Sequence, residues 1–421
     1  LAQKNSRTKI VGAIVMGNVI EYYDFAIFGY LAAIIGANFF PSDDPAAATL
    51  ASFGAFAAGA LMRPIGAIAF GHLGDSLSRR SVLLLSILTM AVPTGLFALL
   101  PTYQQAGLAA PVALVLLRLI QGLSVGGEFS GSIVFANESG PSRFKGLMTA
   151  IATSGGLIGI LLGGFVCYVV TAALDPADMQ AWGWRIPFAL SILISATGLY
   201  FRHGLDDTYE PPQHETAIPL LRLWRHHRAA LLGAFGAIVG GTVFFYTLAV
   251  YSVGWTTAHA GLSNSDSLQI GTLVLAIGIV VFIGVGALAD RVGAMRILRI
   301  GLILAILAAY PLYLAMSGGG YGMVLAGETL LFCILALILL PCYVLMVDIF
   351  PPDVRSTGLA ISVNVAEGIV GGSMPVLLHF TVTRTGFILT PAVAIMLAAA
   401  ISLAVIAFSP AWRRLRHPAA G

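Results

Sequence analysis

The chain has 421 residues, 58% of them hydrophobic and only 10% charged, with a formal net charge of +3. A soluble domain carries about 25% charged residues, so too little polar surface is available to face water, and lipid is expected to cover most of the chain. The positive charge lies in short loops and not on a soluble face, which excludes a nucleic-acid binder.

A helix that crosses the hydrocarbon needs roughly 20 apolar residues. Apolar runs separated by polar breaks fall at 10–36, 47–71, 81–100, 109–137, 146–173, 185–203, 229–256, 267–289, 297–316, 321–347, 356–378 and 387–409. The longest polar stretch divides them six and six. The expected fold is therefore an all-α membrane protein of twelve transmembrane helices in two pseudo-symmetric six-helix bundles, 1–203 and 229–421, joined by a cytoplasmic linker at 204–228. With both termini in the cytoplasm, all Lys and Arg except Arg63, Arg118, Arg185 and Arg384 fall on that side, Arg202 among them. Such asymmetry is the positive-inside signal. The first span runs past Glu21 and Asp24, which a cleaved signal peptide would not contain.

Span 1 carries Asn18, Glu21, Tyr22, Tyr23 and Asp24. A charge within a span costs about 2.5–3.5 kcal/mol on insertion scales, so each one asks for a role. Glu21 and Asp24 are three apart and share a helix face. A carboxyl that changes protonation between two conformations is what proton coupling requires. Asp24 is expected to carry the proton, with Glu21 second. The alternative is a hydrogen-bonded structural carboxyl. Asn18, Tyr22 and Tyr23 are expected to contact substrate.

Span 2 holds Arg63, for which gating and substrate contact compete, and leads into a loop with Gly71, Leu73, Asp75, Arg79 and Arg80. The loop after span 8 repeats the pattern with Gly286, Leu288, Asp290 and Arg291. Recurrence at the same place in each half marks a duplicated transporter. An Asp at a helix end beside Arg can pair across to a neighbouring helix in one conformation and release it in the other, a gate. Topological retention of the basic residues is the competing reading.

Span 4 carries Arg118, Gln121 and Glu128. Arg118 stays ionised and can hold a carboxylate through two parallel bonds. It is expected to grip a substrate carboxylate, to pair with Asp24 or Glu21 in the empty protein, or to do each in turn. Gln121 is placed with it. Glu128 is read as a cytoplasmic gate or second proton site. In span 7, Tyr246, Tyr251 and Trp255 offer ring faces to a quaternary ammonium. Asn364 and Glu367 in span 11 are candidates for a substrate amine or a further protonation site, and Glu328 lies near the outer end of span 10. Cys167, Cys333 and Cys342 all lie in spans and suggest packing, with no disulfide or metal pattern.

Several motifs recur in a fixed order. They are Gly17-Asn18-x-x-Glu21-Tyr22-Tyr23-Asp24-Phe25, Phe39-Phe40-Pro41, Arg63-Pro64-x-Gly66, Arg118-x-x-Gln121-Gly122-x-Ser124-x-Gly126-Gly127-Glu128, Trp182-x-Trp184-Arg185-x-Pro187-Phe188 and Phe350-Pro351-x-x-Val354-Arg355-x-Thr357-Gly358. In these the chain resembles the metabolite–proton symporter family of the major facilitator superfamily, which includes permeases for α-ketoglutarate, citrate, shikimate and proline or betaine. It departs at Ser78-Arg79-Arg80, where the family has Gly-Arg-Lys or similar, and at Glu367, where the family has a small or apolar residue. The resemblance implies a central cavity lined by spans 1, 4, 7 and 10, two bundles rocking about it, monomeric function in a bacterial-type inner membrane, and no cofactor beyond the proton gradient. Span 5 lacks the Gly-Pro pair of the superfamily's drug exporters, since no proline lies between Pro141 and Pro176.

No phosphate-binding loop is present to drive transport with ATP, and no zinc-site spacing supports an enzyme. The expected function is proton-coupled import of a small organic acid. The alternative is symport of a zwitterion such as proline or betaine, favoured by the excess of carboxylates within spans. An exporter and a non-transporting sensor are further readings.

Overall fold

The structure, a computed structural model, describes residues 7–77, 79–203 and 219–416. Among these, every regular element is helical. Ten helical runs are long and apolar enough to cross a membrane. The pair Pro176–Gly183 and Arg185–Arg202, bent by 50°, makes an eleventh, and the shorter apolar helix Ser81–Phe97 stands where the third span is expected.

Span 1 is Arg7–Tyr30, continued by Ala32–Phe39, and span 2 is Pro45–Leu61 followed by Arg63–Ser76. Span 4 is Ala109–Ser139 and span 5 is Lys145–Ala173. Span 8 is Asn264–Val292, span 9 Ala294–Met316, span 10 Gly320–Ile349 and span 12 Thr390–Phe408. Spans 7 and 11, Arg228–His259 and Pro352–Thr385, are each interrupted by a π-helical turn, at Thr247–Tyr251 and Ala366–Gly371. Such turns are rare and concentrate at functional sites.

The chain separates into two compact units. Among the described residues, one holds 7–139 and 152–203 and the other holds 140–151 and 219–416. Part of the expected linker, residues 219–226, is helical. Pro219–His226 forms a helix whose Leu223 is buried and whose Arg222 Nη1 donates to Asp353 Oδ2 at 2.6 Å. Residues 204–218 lie outside the described set.

The sequence motifs have packing roles in the first unit. Gly122 and Gly126 on span 4 face span 2 so closely that a Cβ on either would strike the backbone, at Gly59 O for the first and at Arg63 O and Ala67 N for the second. Small residues let membrane helices approach in this way. The contact fixes the height of span 4, and with it the position of Arg118. Trp184, Phe188, Phe97, Phe39 and Phe28 form one buried aromatic core, with Trp184 set edge-on to Phe39 at 5.5 Å and Phe97 stacked on Phe188 at 5.3 Å.

Candidate functional site

Asp24 and Arg118 form a buried ion pair in the first unit, with 2% and 4% of their surfaces exposed. Arg118 Nη1 donates to Asp24 Oδ2 at 2.8 Å. Gln121 Nε2 donates to Asp24 Oδ1 at 3.0 Å and to Thr94 Oγ1 at 2.7 Å. One helical turn separates Arg118 from Gln121 on span 4, so both reach the same carboxylate. Arg118 Nε, Arg118 Nη2 and Gln121 Oε1 are buried without a hydrogen-bond partner. A buried donor left in this state costs about 1–3 kcal/mol, and these atoms keep hydrogen-bonding capacity for a further partner.

A pocket opens over the pair, and its wall includes Glu21, Phe25, Phe56, Arg63 and Met90 as well as Asp24, Arg118 and Gln121. It therefore presents two carboxyls, two guanidiniums and two aromatic rings. The Arg118 guanidinium carbon lies 3.7 Å from the centre of the Phe28 ring, 4.9 Å from Phe97 and 5.7 Å from Phe56. These phenylalanines carry no signal in the sequence that separates them from ordinary membrane-facing aromatics.

Glu128, read from the sequence as a cytoplasmic gate or second proton site, lies outside the wall of this pocket. It is buried and paired with Arg202, whose side chain is fully buried. Arg202 Nε and Nη2 donate to Ala13 O, both at 3.2 Å, Nη1 donates to Leu83 O, and both terminal nitrogens donate to Glu128. Ser86 Oγ also donates to Glu128. This clasp ties spans 1, 3, 4 and 6 together, and Arg202, counted in the sequence among the cytoplasmic basic residues, is turned inward at the end of its helix. Gly17 passes directly over it, where a Cβ would strike Glu128 and Arg202.

The other polar groups of span 1 hold helices together. Asn18 Nδ2 donates to Ser132 Oγ at 2.9 Å and to Ala152 O at 2.6 Å. Tyr23, fully buried, donates to Pro187 O at 2.8 Å. Tyr22 is half-buried and edge-on to Phe129 at 6.3 Å. None of Asn18, Tyr22 and Tyr23 belongs to the wall of the pocket.

In the second unit, the π turn of span 11 packs against the α-helical part of span 7 just before that span's own π turn. A Cβ at Gly371 would strike the Tyr246 ring and Thr242. Half-buried Glu367 accepts from Tyr343 OH at 3.5 Å. Asn364 Nδ2 is taken up by Ala360 O at 2.9 Å, one turn back on its own helix. Trp255 is 1% exposed, with its Nε1 donating to Ile388 O at 2.7 Å and its ring edge-on to Tyr313 at 4.9 Å, so its polar tip already has a partner. Tyr251 is buried, and Glu328 accepts from Ser252 Oγ.

Of the expected gate residues, the side chains of Asp75, Arg79 and Arg80 lie outside the described set. Asp290 accepts from the backbone N–H groups of Gly146 and Leu147, at 2.6 and 2.9 Å, both within the second unit. A carboxylate at the N-terminus of Lys145–Ala173 satisfies orphan donors and complements the helix dipole. The backbones approach closely there, since a Cβ at Gly286 would strike Gly146 O and Ala150 Cβ. Lys145 Nζ lies 2.6 Å from Asp348 Oδ1. Arg291 is exposed.

The sequence profile of the Major Facilitator Superfamily matches residues 14–375. The chain belongs to this superfamily. Among its relatives is the inner membrane metabolite transport protein YhjE of Escherichia coli, 34% identical over 96% of this chain and 93% of that protein. The Escherichia coli shikimate transporter is 30% identical over 89% and 87%, and the proline/betaine transporter of the same organism is 28% identical over 94% and 82%. The proton:xylose symporter XylE has the same fold, with a TM-score of 0.76 and 16% identity over 95% of this chain and 94% of that one. The fucose:proton symporter FucP of Escherichia coli gives 0.67 at 16% identity over 96% and 98%. This facilitator is thus an all-α multi-pass membrane transporter and not an enzyme.

Proposed function

We propose that this transporter is a proton-coupled symporter that imports a small zwitterion bearing a carboxylate, of the proline or betaine type, by alternating access. The observation that carries the reading is the buried Asp24–Arg118 pair, in which Arg118 keeps two buried donors without a partner beside a pocket that it helps to line. In the empty protein Asp24 neutralises Arg118. Protonation of Asp24 removes that partner, and a substrate carboxylate takes its place on the Arg118 fork. Substrate and proton then favour each other's binding, which is the coupling symport needs.

The pocket wall favours a zwitterion over a di- or tricarboxylate. Glu21 and the ring faces of Phe25 and Phe56 share the pocket with Arg118 and Arg63, so a cationic head can be met by charge and by ring quadrupole. The proline/betaine relatives support the same class. An organic acid is the second reading, supported by the shikimate relative. Asp24 is the proton carrier. Glu367, beside Tyr343 on span 11, serves as a further contact for the cationic head, and Asp290 works as a gate. The protein works in an inner membrane as a monomer, with both termini cytoplasmic and with the proton gradient as its only driving agent.

The test is uptake by proteoliposomes under an inward proton gradient, comparing labelled glycine betaine, L-proline, shikimate and citrate. Accumulation of betaine or proline that collapses with a protonophore supports the reading. Accumulation of an acid alone transfers it to the second reading.

A further inference from the structure

Asp24 is the sole carboxylate bonded to Arg118, through one hydrogen bond, among the contacts described for it. On the reading of Asp24 as the proton carrier, there is a stage at which this counter-charge disappears while Arg118 remains buried. A buried cation without a partner is strongly disfavoured. It would withdraw, draw in water or disrupt the helix packing, unless something insensitive to protons held it.

The rings beside Arg118 fit that requirement. Phe28 lies 3.7 Å from the guanidinium carbon and Phe97 4.9 Å, within the range over which an aromatic quadrupole attracts a cation. Both rings are almost completely buried. They are fixed against each other edge-on at 6.1 Å, and Phe97 is stacked on Phe188. Neither forms part of the pocket wall, so a ligand entering the pocket does not meet them. Phe25 and Phe56, by contrast, are on the wall. The guanidinium thus has one partner that titrates and, besides Phe56 on the wall, a buried ring pair that does not.

We infer that Phe28 and Phe97 are positioning residues that hold the Arg118 cation at the pocket while Asp24 is neutral, so that its open donors are ready for a carboxylate. The rings turn a simple ion pair into a three-part device. Asp24 comes and goes with the proton, the substrate carboxylate comes and goes with transport, and the ring clamp stays.

A packing role and an electrostatic role predict different results when ring charge changes and ring shape does not. Fluorination of phenylalanine weakens the quadrupole stepwise with little change in volume. Mono-, di- and trifluorophenylalanine are placed at position 28 of the full chain, purified in detergent without substrate, both with Asp24 and in Asp24→Asn. Thermal melting is the readout. The expected result is a stepwise fall in the melting midpoint across the series in Asp24→Asn, and a much shallower one when Asp24 is present. Asp24→Ser supplies the same neutral background should Asp24→Asn fail to fold. A flat series in both backgrounds, or equal slopes in the two, overturns the inference. Because no substrate enters this measurement, it is separate from the transport reading. A steep series in Asp24→Asn together with no proton-driven uptake would leave the clamp standing and remove the symporter.

Discussion

Arg118 touches Asp24 with one nitrogen and keeps two in reserve. Nη1 lies 2.8 Å from Asp24 Oδ2, whereas Nε and Nη2 are buried without a hydrogen-bond partner. The same unit contains the opposite arrangement. Every guanidinium nitrogen of Arg202 is bonded, to Glu128, Ala13 O and Leu83 O. Both pairs are buried and both join span 4 to another span. The saturated pair has nothing left to offer a ligand, whereas the unsaturated one keeps donors for a second partner, as the proposed exchange requires. Degree of satisfaction, more than burial or charge, separates the two pairs.

The fork geometry of Arg118 can be tested directly. Arg118→Lys keeps the charge and loses both the second parallel donor and the flat face against Phe28. The expected outcome is at least a roughly tenfold weaker affinity for the transported carboxylate, about 1.4 kcal/mol, in a binding measurement without a gradient. Unchanged affinity would remove Arg118 from the substrate site.

The clasp should respond in stability and not in specificity. Arg202→Met leaves Glu128 buried without its partner, and breaking a buried pair from one side costs about 3–5 kcal/mol. Denaturation of the purified protein should register that loss. Arg202→Met combined with Glu128→Leu should recover most of it, because the uncompensated charge is gone. If the double variant is no more stable than the single one, Glu128 is doing something other than pairing.

Glu21 distinguishes the two substrate readings. It shares the pocket with Arg118 and is expected to face the cationic head of a zwitterion. Glu21→Gln should weaken glycine betaine or proline binding several-fold and leave competition by a simple carboxylate nearly unchanged. Equal losses for both compounds would place Glu21 outside substrate recognition.

Asp290 is expected to control rate. Its two carboxylate oxygens accept from Gly146 N and Leu147 N at the start of a helix, and an Asn keeps one of those acceptors while losing the charge that complements the helix dipole. Asp290→Asn should change turnover with little change in affinity, measured as counterflow rate against binding. Gly286→Val should act in the same direction, because its side chain would strike Gly146 O and Ala150. A large change in affinity at normal turnover would contradict a gating role.

Much of this site was legible because the membrane makes charge expensive. Asp24 and Arg118 stood out in apolar spans for that reason, and their pairing follows from two opposite charges sharing one low-dielectric interior. Arg202 was not legible, since a basic residue at the end of a span reads as topology and only the fold shows it turned inward to Glu128. Phe28 and Phe97 were invisible because phenylalanine in a membrane helix is the ordinary case. Trp255, read from the sequence as a ring face for a cationic ligand, has its polar tip bonded to the backbone carbonyl of Ile388 and its ring edge-on to Tyr313. Ten or eleven of the twelve expected spans read well from hydropathy, whereas the 50° bend of span 6 and the π turns at Thr247 and Ala366 leave no trace in composition.

The central claim is that Asp24 carries the coupling proton, and the measurement that tests it most directly uses Asp24→Asn in proteoliposomes. Labelled glycine betaine or proline is followed in two modes, accumulation under an inward proton gradient and exchange with unlabelled substrate at equal pH. A neutral Asn stands in for protonated Asp24, so gradient-driven accumulation should vanish while exchange continues. Accumulation at the wild-type level, or loss of exchange together with accumulation in a folded protein, would contradict the account.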